Sequence, residues 1–402
     1  MVRNFPKSEI PNPKSEMLTR LYDPSVTETF FVPQYKVKIA GRELPDAIVR
    51  DVVQVTYKDN VREIDSFDLT INNYDDLRGI PKYEPASESQ YANIFDPGKE
   101  VEVWLGYFNN LTLMLTGEIT TLEPNFPASG GFTLSVRGLN RLHRFRTEQH
   151  TKAWTDKTDS QIAEELGRNP VRQGKPGLGL RVETAPIDEE TEPYVLMHNQ
   201  YDIVFLMERA RRRGYELVLR EADADTHQER HLYFGPSQET ANAPTYLLEW
   251  GKSLLSFRPT LTTANQVSEV QVLGWDRRNN RAIDETAKWQ DLYPANSPER
   301  ARVNLLAQAF GGRREVITDR PVHTKDQAKK LAKNTLRDLL KGMVEANGET
   351  VGLPNLRAGR TLQIGNLGER YNGRYYILES THILGESGYK TQFKARREEG
   401  IS

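Results

Sequence analysis

Between Tyr35 and about Asn140, apolar and polar positions alternate in short runs: Val37 and Ile39; Phe67, Leu69 and Ile71; Val101 and Val103; Phe132, Leu134 and Val136. A period of two places one face of each run in a core, and the glycines and prolines between runs mark hairpins. Residues 31–150 are therefore expected to form a mostly antiparallel β-barrel or sandwich. Residues 1–30 are polar and carry Pro6, Pro11, Pro13 and Pro24, which predicts an extended N-terminal arm suited to docking.

The period changes around Trp154. Thr158-Asp159-Ser160-Gln161 has the form of a capping box and opens a short helix carrying Ile162, Ala163 and Leu166. A second helix is predicted from Asp202 to Arg213, with Ile203, Leu206, Met207 and Ala210 on one face and Gly214 as its stop. Strands follow at Tyr215–Leu219 and His231–Phe234, so residues 151–253 read as an inserted α/β domain. Alternation returns from about Leu254, through Val267, Val270 and Val272, and defines a second barrel over 254–402. Helical insertions are expected within it at about 284–345. One opens near Ser297-Pro298, and a stronger one covers Lys325–Met343 with Ala328, Leu331, Ala332, Thr335, Leu336, Leu339, Leu340 and Met343 in one stripe. Strands at Arg360–Ile364, Arg374–Glu379 and Tyr389–Ala395 complete the second barrel.

Two stretches repeat each other: PGKEVEVWLG…LTGEITTLE at 97–123 and AGRTLQIG…YNGRYYILE at 358–379. In each, a glycine (Gly98, Gly359) opens an alternating strand, and a later glycine (Gly117, Gly373) precedes a Leu-Glu pair by the same interval. Glycines of this kind permit tight turns or close backbone approach. A duplicated barrel is expected, and duplication has a geometric consequence: three chains present six similar barrels, which lets a three-fold object sit against a six-fold one.

Composition narrows the function classes. The 54 basic and 56 acidic residues leave a net charge of −2, so no global field draws the chain to nucleic acid or to an anionic membrane. The absence of cysteine excludes disulfides, thiolate metal sites and a cysteine nucleophile, and agrees with assembly in a reducing cytoplasm. The opening MVRNFPKSEIPNPKSEM carries charge and proline where an export signal needs an apolar stretch, and no apolar run approaches the ~18 residues of a spanning helix. Neither export nor direct membrane insertion is expected.

Several blocks in order, FDPGKEVEVWLGY at 95–107, GEITTLEPNFP at 117–127, TDSQIAEEL at 158–166, QYDIVFLMERARRRGYELVLRE at 200–221, HLYFG at 231–235 and YNGRYYILESTHILGESGYKTQF at 371–393, resemble the phage late control gene D and VgrG-type proteins. The resemblance runs from about Tyr35 to Arg397. It implies an α+β, mainly β fold: two tube-like antiparallel β-barrel domains with an inserted α/β domain, in a ring-forming homotrimer. It further implies a non-enzymatic baseplate hub of a contractile phage-tail-like particle, adapting a hexameric tail tube to a trimeric spike. The implied partners are other copies of the chain, the tail tube protein, a spike, baseplate wedge components, and a tape measure or cargo. VgrG proteins continue past this point into a needle, whereas this sequence stops at Ser402, so the spike is expected to be a separate polypeptide. The alternative is a hub that also degrades cell wall.

Candidate chemistry is sparse. Arg209, Arg211, Arg212 and Arg213 form a basic cluster, but cations at a helix C-terminus complement its dipole, and no nucleic-acid partner is expected. Among His143, His150, His198, His227, His231, His323 and His382, none has zinc-motif spacing, and no metal or cofactor is expected. The run Asp188-Glu189-Glu190-Thr191-Glu192 reads as a solvated loop, with a glycosidase carboxylate as the sharper alternative. GRNPVRQGK at 167–175 departs from the phosphate-loop spacing, with Pro176 at the hydroxyl position. Tyr107, Phe108, Tyr375 and Tyr376, beside Gly117 and Gly373 on the repeated hairpins, are candidates either for a subunit interface or for barrel core.

Overall fold

The computed structural model describes residues 19–20, 32–84, 91–108, 110–168, 171–172, 175–176, 179–186, 189–222, 229–236, 245–262, 267–292, 300, 313–368 and 370–397. The helix expected near Ser297-Pro298 and most of the N-terminal arm lie outside the described residues. Of that arm, Thr19–Arg20 pairs in parallel with Tyr246–Leu247.

The described chain is mainly β. Its first part contributes β1 (Pro33–Ile39), β2 (Val52–Asn60), β3 (Ser66–Asn72), β4 (Glu100–Tyr107), β5 (Asn110–Asn125) and β6 (Thr133–Asn140), hydrogen-bonded in the order β1-β4-β5-β6-β3-β2. The middle part holds β7 (Gln149–Trp154), α1 (Asp159–Arg168), β8 (Arg181–Thr184), β9 (Val195–Tyr201), α2 (Asp202–Arg213), β10 (Tyr215–Arg220) and β11 (His231–Pro236). The last part holds β12 (Tyr246–Glu249), β13 (Leu254–Leu261), β14 (Glu269–Asp276), β15 (Arg281–Lys288), β16 (Arg314–Ile317), α3 (Lys325–Lys341), β17 (Val344–Val351), β18 (Thr361–Gly365), β19 (Gly373–Gly385) and β20 (Gly388–Arg397). There the pairing order is β12-β18-β19-β20-β17-β13.

The two orders are one pattern written twice. Strands β2, β3, β4, β5 and β6 correspond in chain order to β13, β17, β18, β19 and β20. The detail extends to single hydrogen bonds: Gly98 and Gly359, both with left-handed φ (87° and 83°), donate to Ile119 and Ile377 at 2.8 and 2.9 Å. Ile119 and Ile377 donate back to Lys99 and Arg360 at 3.0 and 2.9 Å. Bulges also coincide. Val53 is the extra residue of β2 against β3, as Leu255 is of β13 against β17; Thr120 is the extra residue of β5 against β6, as Leu378 is of β19 against β20.

This register corrects the sequence alignment of the repeat by two residues. Gly117 faces Val101, and Tyr375 faces Leu362, each partner standing three places after its left-handed glycine. Gly117 is thus equivalent to Tyr375, and Gly373 lies two residues earlier. The Leu-Glu pairs misled because Leu378 is a bulged residue whereas Leu122 lies beyond the bulge. An even shift keeps every side chain on its face, so alternation alone could not reveal it.

No closed barrel forms among the described residues. The free edge of β2 is taken instead by the second half of β19, which fuses both repeats into one branched 14-stranded sheet. Each repeat has its own core, the first around Val55, Leu69, Val103 and Val136 and the second around Leu248, Val344, Ile364 and Phe393. Leu384 and Tyr389 of the second repeat pack into the first core. A third core spans Leu142 to Phe234, where α1 and α2 cover β8, β11 and β10. The capping box holds, with Gln161 N–H donating to Thr158 Oγ1 at 3.3 Å and Thr158 N–H to Gln161 Oε1 at 3.1 Å. Gly214 ends α2 at φ 69°.

Val270 and Val272 do not resume the repeat. They sit in a separate sheet, ordered β15-β14-β16, against which α3 packs Ala328, Ala332, Leu336 and Leu340. The segment expected as helical insertions at 284–345 accordingly contains strand Arg314–Ile317 and most of Arg281–Lys288 as well as α3.

Candidate functional site

Where the repeats meet, β19 runs antiparallel to β2 from Glu379 opposite Asn60 to Gly385 opposite Gln54. Val55, Tyr57 and Asp59 from β2 and Ser380, His382 and Leu384 from β19 are buried on one face. Period two makes this a shared core layer, but three of its members are polar and need partners. Arg357, from the loop before β18, supplies the charge that Asp59 needs. Its Nε donates to Asp59 Oδ2 at 2.7 Å, its second terminal nitrogen to Met114 O at 2.9 Å and to the Tyr57 hydroxyl, and its guanidinium lies 4.6 Å from the Tyr57 ring centroid. Ala358 N–H and the Ser380 hydroxyl also donate to Asp59.

His382 sits 3.1 Å from Ser380 Oγ, 2.9 Å from the Tyr389 hydroxyl and 3.2 Å from Leu356 O. Burial, with the Arg357 charge adding and Asp59 opposing, lowers its pKa to about 3, so the ring is neutral at ordinary pH. Asp65 lies behind this layer, accepting from Asn140 Nδ2 at 2.8 Å. Burial and the neighbouring Asp59 charge raise its pKa to about 8, with Arg357, Asn140 and Asn60 opposing, so near neutrality it carries a proton. The chemistry of this cluster is cohesion between repeats, with one buried cation serving a buried anion.

The α/β segment docks on the same region. Glu221 accepts from Thr116 N–H at 2.9 Å and from Arg230 at 2.7 Å, Arg230 also reaches Thr116 Oγ1 at 2.6 Å, and the Tyr376 hydroxyl donates to Glu216. The basic cluster of α2 divides: buried Arg209 and half-buried Arg213 pair with Asp159 and Glu192, while Arg211 and Arg212 are exposed. The acidic run is held as well. Glu189 accepts from Ser160 N–H at 3.1 Å at the start of α1, and Glu190 meets Lys330 at 2.9 Å, while Asp188 lies outside the described residues. His143 and His231 face single carboxylates, Glu118 at 2.9 Å and Glu183 at 3.4 Å, and no group of three metal-binding side chains occurs among the described residues. His227 lies outside them.

Of the six residues singled out on the repeated hairpins, three aromatics belong to the fold. Tyr107 is buried against Tyr389 and donates to Gly352 O at 2.8 Å; Tyr375 donates to Tyr371 O at 2.9 Å and meets Phe257 edge-on; Tyr376 lies under Arg396 at 4.8 Å. All three are buried within the single chain. Gly117 permits close approach, since a Cβ there would lie 2.1 Å from Leu139 O, and Gly373 has φ 143°. Phe108 is exposed at 56%. The junction residues Asp59, Asp65 and Arg357 were not singled out, and His382 was counted only among scattered histidines; a buried-position charge in an alternating strand, as at Asp59, was the available signal.

Solved structures share this fold. The 43 kDa tail protein of prophage MuSo2 from Shewanella oneidensis is 13% identical, with a TM-score of 0.66 over 92% of this chain and 100% of that one. A tail protein from Neisseria meningitidis MC58 is 14% identical, with a TM-score of 0.64 over 92% and 98%. The Escherichia coli c3393 protein, a type VI secretion component described as similar to the phage T4 tail proteins gp27 and gp5, is 13% identical, with a TM-score of 0.55 over 90% and 77%. The fold is a phage-tail-protein fold. The chain belongs to the Alg8 N-terminal domain family, whose profile matches residues 31–386. No curated protein sequence matches it.

Proposed function

We propose that the chain is the structural hub of the baseplate in a contractile phage-tail-like particle or injection system. Three copies form a ring of six similar β units that matches a six-fold tail tube to a three-fold spike. The observation that carries this reading is the repeat itself, preserved in strand order, paired hydrogen bonds and bulges. Two units built to one plan in one chain are what a three-fold ring needs in order to present a six-fold face. The tail-protein fold of the solved neighbours supports the setting.

In this reading the tail tube protein sits above the ring, the spike below, wedge components at the side, and a tape measure or cargo on the axis. The hub assembles in the bacterial cytoplasm and then travels as part of the particle. Its work is mechanical: it nucleates the tube and passes force to the spike, which requires cohesion between units and no bond-making chemistry. Light scattering on the full chain, alone and with candidate tube and spike proteins, tests the reading. Three chain masses support it; a chain that stays monomeric with every such partner overturns it.

A further inference from the structure

Strands β5 and β19 hold the same place in the two repeats, but only β19 has a neighbour along the outer edge of its second half. That neighbour is β2. The matching edge of β5, Thr121–Asn125, is paired with β6 alone among the described residues, and β13, the counterpart of β2, is paired with β17 and otherwise makes only an isolated bridge from Leu254 to Trp250 among them. Each chain therefore has one half-junction open at either end.

The residues along these open edges have the pattern of a junction that is not yet covered. Carrying the His382–Tyr57 register through the repeat sets Leu122 opposite Leu261, Pro124 opposite Pro259 and Phe126 opposite Phe257. Their six counterparts at the internal junction, Ser380, His382, Leu384 and Asp59, Tyr57, Val55, are all buried. At the open edges all six are apolar, and Leu122, Phe126 and Leu261 are exposed at 36%, 54% and 37%. The intervening positions are polar on both edges: Thr121, Glu123 and Asn125 on one, Arg258, Thr260 and Thr262 on the other. Leu122, Pro124 and Phe126 thus leave an apolar face in water, while on β13 Leu261 is exposed and Phe257 and Pro259 are half-buried, and such a face fits a partner.

We propose that residues 121–126 of one copy pair antiparallel with residues 257–262 of a second copy, with Glu123 opposite Thr260, repeating between chains the junction that β19 and β2 make within one. This rests on the trimeric reading above and names its contact. The partner is a second copy because, among the described residues, the chain's own two open edges match each other in this register. Such a contact is head-to-tail, and it closes when the units complete a turn, at three chains.

Pro124 and Pro259 restrict what these edges can accept. The bond from Thr262 N–H to Met343 O, and that from Asn140 N–H to Asp65 O, set the hydrogen-bonding alternation so that both proline nitrogens face the open edges. Each edge thus resists addition of an arbitrary strand. In the proposed contact the opposed pair Pro124/Pro259 contributes no hydrogen bond, and the ladder is carried by the flanking pairs Leu122/Leu261 and Phe126/Phe257.

The native chain has no cysteine, which makes cross-linking clean. The test is the full-length double variant Glu123→Cys/Thr260→Cys, oxidised at a concentration where light scattering reports association, then resolved without reductant. The matching internal pair, Lys58→Cys/Thr381→Cys, is the control and cross-links within one chain. Covalent dimers and trimers, and nothing larger, are expected, with no cross-link in either single variant. A trimer by mass that forms no cross-link overturns the edge assignment and leaves the hub reading standing. A ladder continuing past trimer overturns the closed ring, and a chain that never associates overturns both. Circular dichroism and native mass of the reduced double variant show that the substitutions left folding and assembly intact.

Discussion

Arg357 of the second repeat holds Asp59 of the first at 2.7 Å, across 298 residues of sequence. Among the described residues neither makes a second ion pair, and Asp59 is 5% exposed. Among the described residues, the pair joins the two repeats where their sheets share a strand neighbour.

Removing the cation leaves that carboxylate buried and uncompensated, which costs about 3–5 kcal/mol in such settings. Arg357→Met is therefore expected to lower the unfolding free energy by an amount of that order, read as a lower denaturant midpoint. Exchange of both partners for apolar residues, Arg357→Met with Asp59→Leu, should recover much of the loss. Urea melts of the three chains check it.

The same cluster sets a pH dependence. The folded pKa of Asp65, about 8, lies above its ordinary 3.8, so its contribution is complete below about 4 and is lost as pH rises to about 8. His382, lowered from 6.5 to about 3, contributes fully above about 6.5 and loses that contribution as pH falls. The two slopes oppose each other between about 4 and about 6.5, leaving a decline from about 6.5 to about 8. Asp65→Asn should abolish the decline and expose the His382 slope. Denaturant midpoints across a pH series measure this, and an undiminished decline in Asp65→Asn contradicts it.

The glycines of the first repeat serve different ends. Gly98 needs only its left-handed φ of 87°, with open space around it, so Gly98→Ala should cost about 1–2 kcal/mol. At Gly117 a Cβ would lie 2.1 Å from Leu139 O, which forces β5 and β6 apart. Gly117→Ala should cost about 3 kcal/mol or more. Equal midpoints for the two variants would argue against the close approach.

Phe108 and Tyr107 are neighbours with opposite surroundings. Phe108→Ser should leave unfolding of the single chain within about 0.5 kcal/mol of native, and Tyr107→Ala should cost about 3–5 kcal/mol. If Phe108 lies at a subunit contact, its loss weakens association without moving the unfolding midpoint of the monomer. Sedimentation and thermal melts separate the two effects.

Most strands were legible because their inward residues are apolar at every second place, and α1 and α2 because a capping box and a left-handed glycine bound them. The alternation reading passed over β2, the strand on which the junction depends. Bulged Val53 makes Val52 and Val53 adjacent and breaks the alternation, and the next inward positions are Val55, Tyr57 and then Asp59, an acid. The repeat was visible, but its register was not, since a shift of two keeps every face. Arg357 could not be placed from sequence: a charge in a loop acquires meaning only when β19 brings the other repeat beside it.

The central claim is that two like units in one chain make a six-lobed ring from three chains. Electron-microscopy class averages of the assembled hub, viewed down its axis, test it most directly. The account predicts three copies around a channel with six similar lobes, alternate boundaries between lobes being the internal β19–β2 junction. Monomers, or a ring whose lobes are not six, would contradict it.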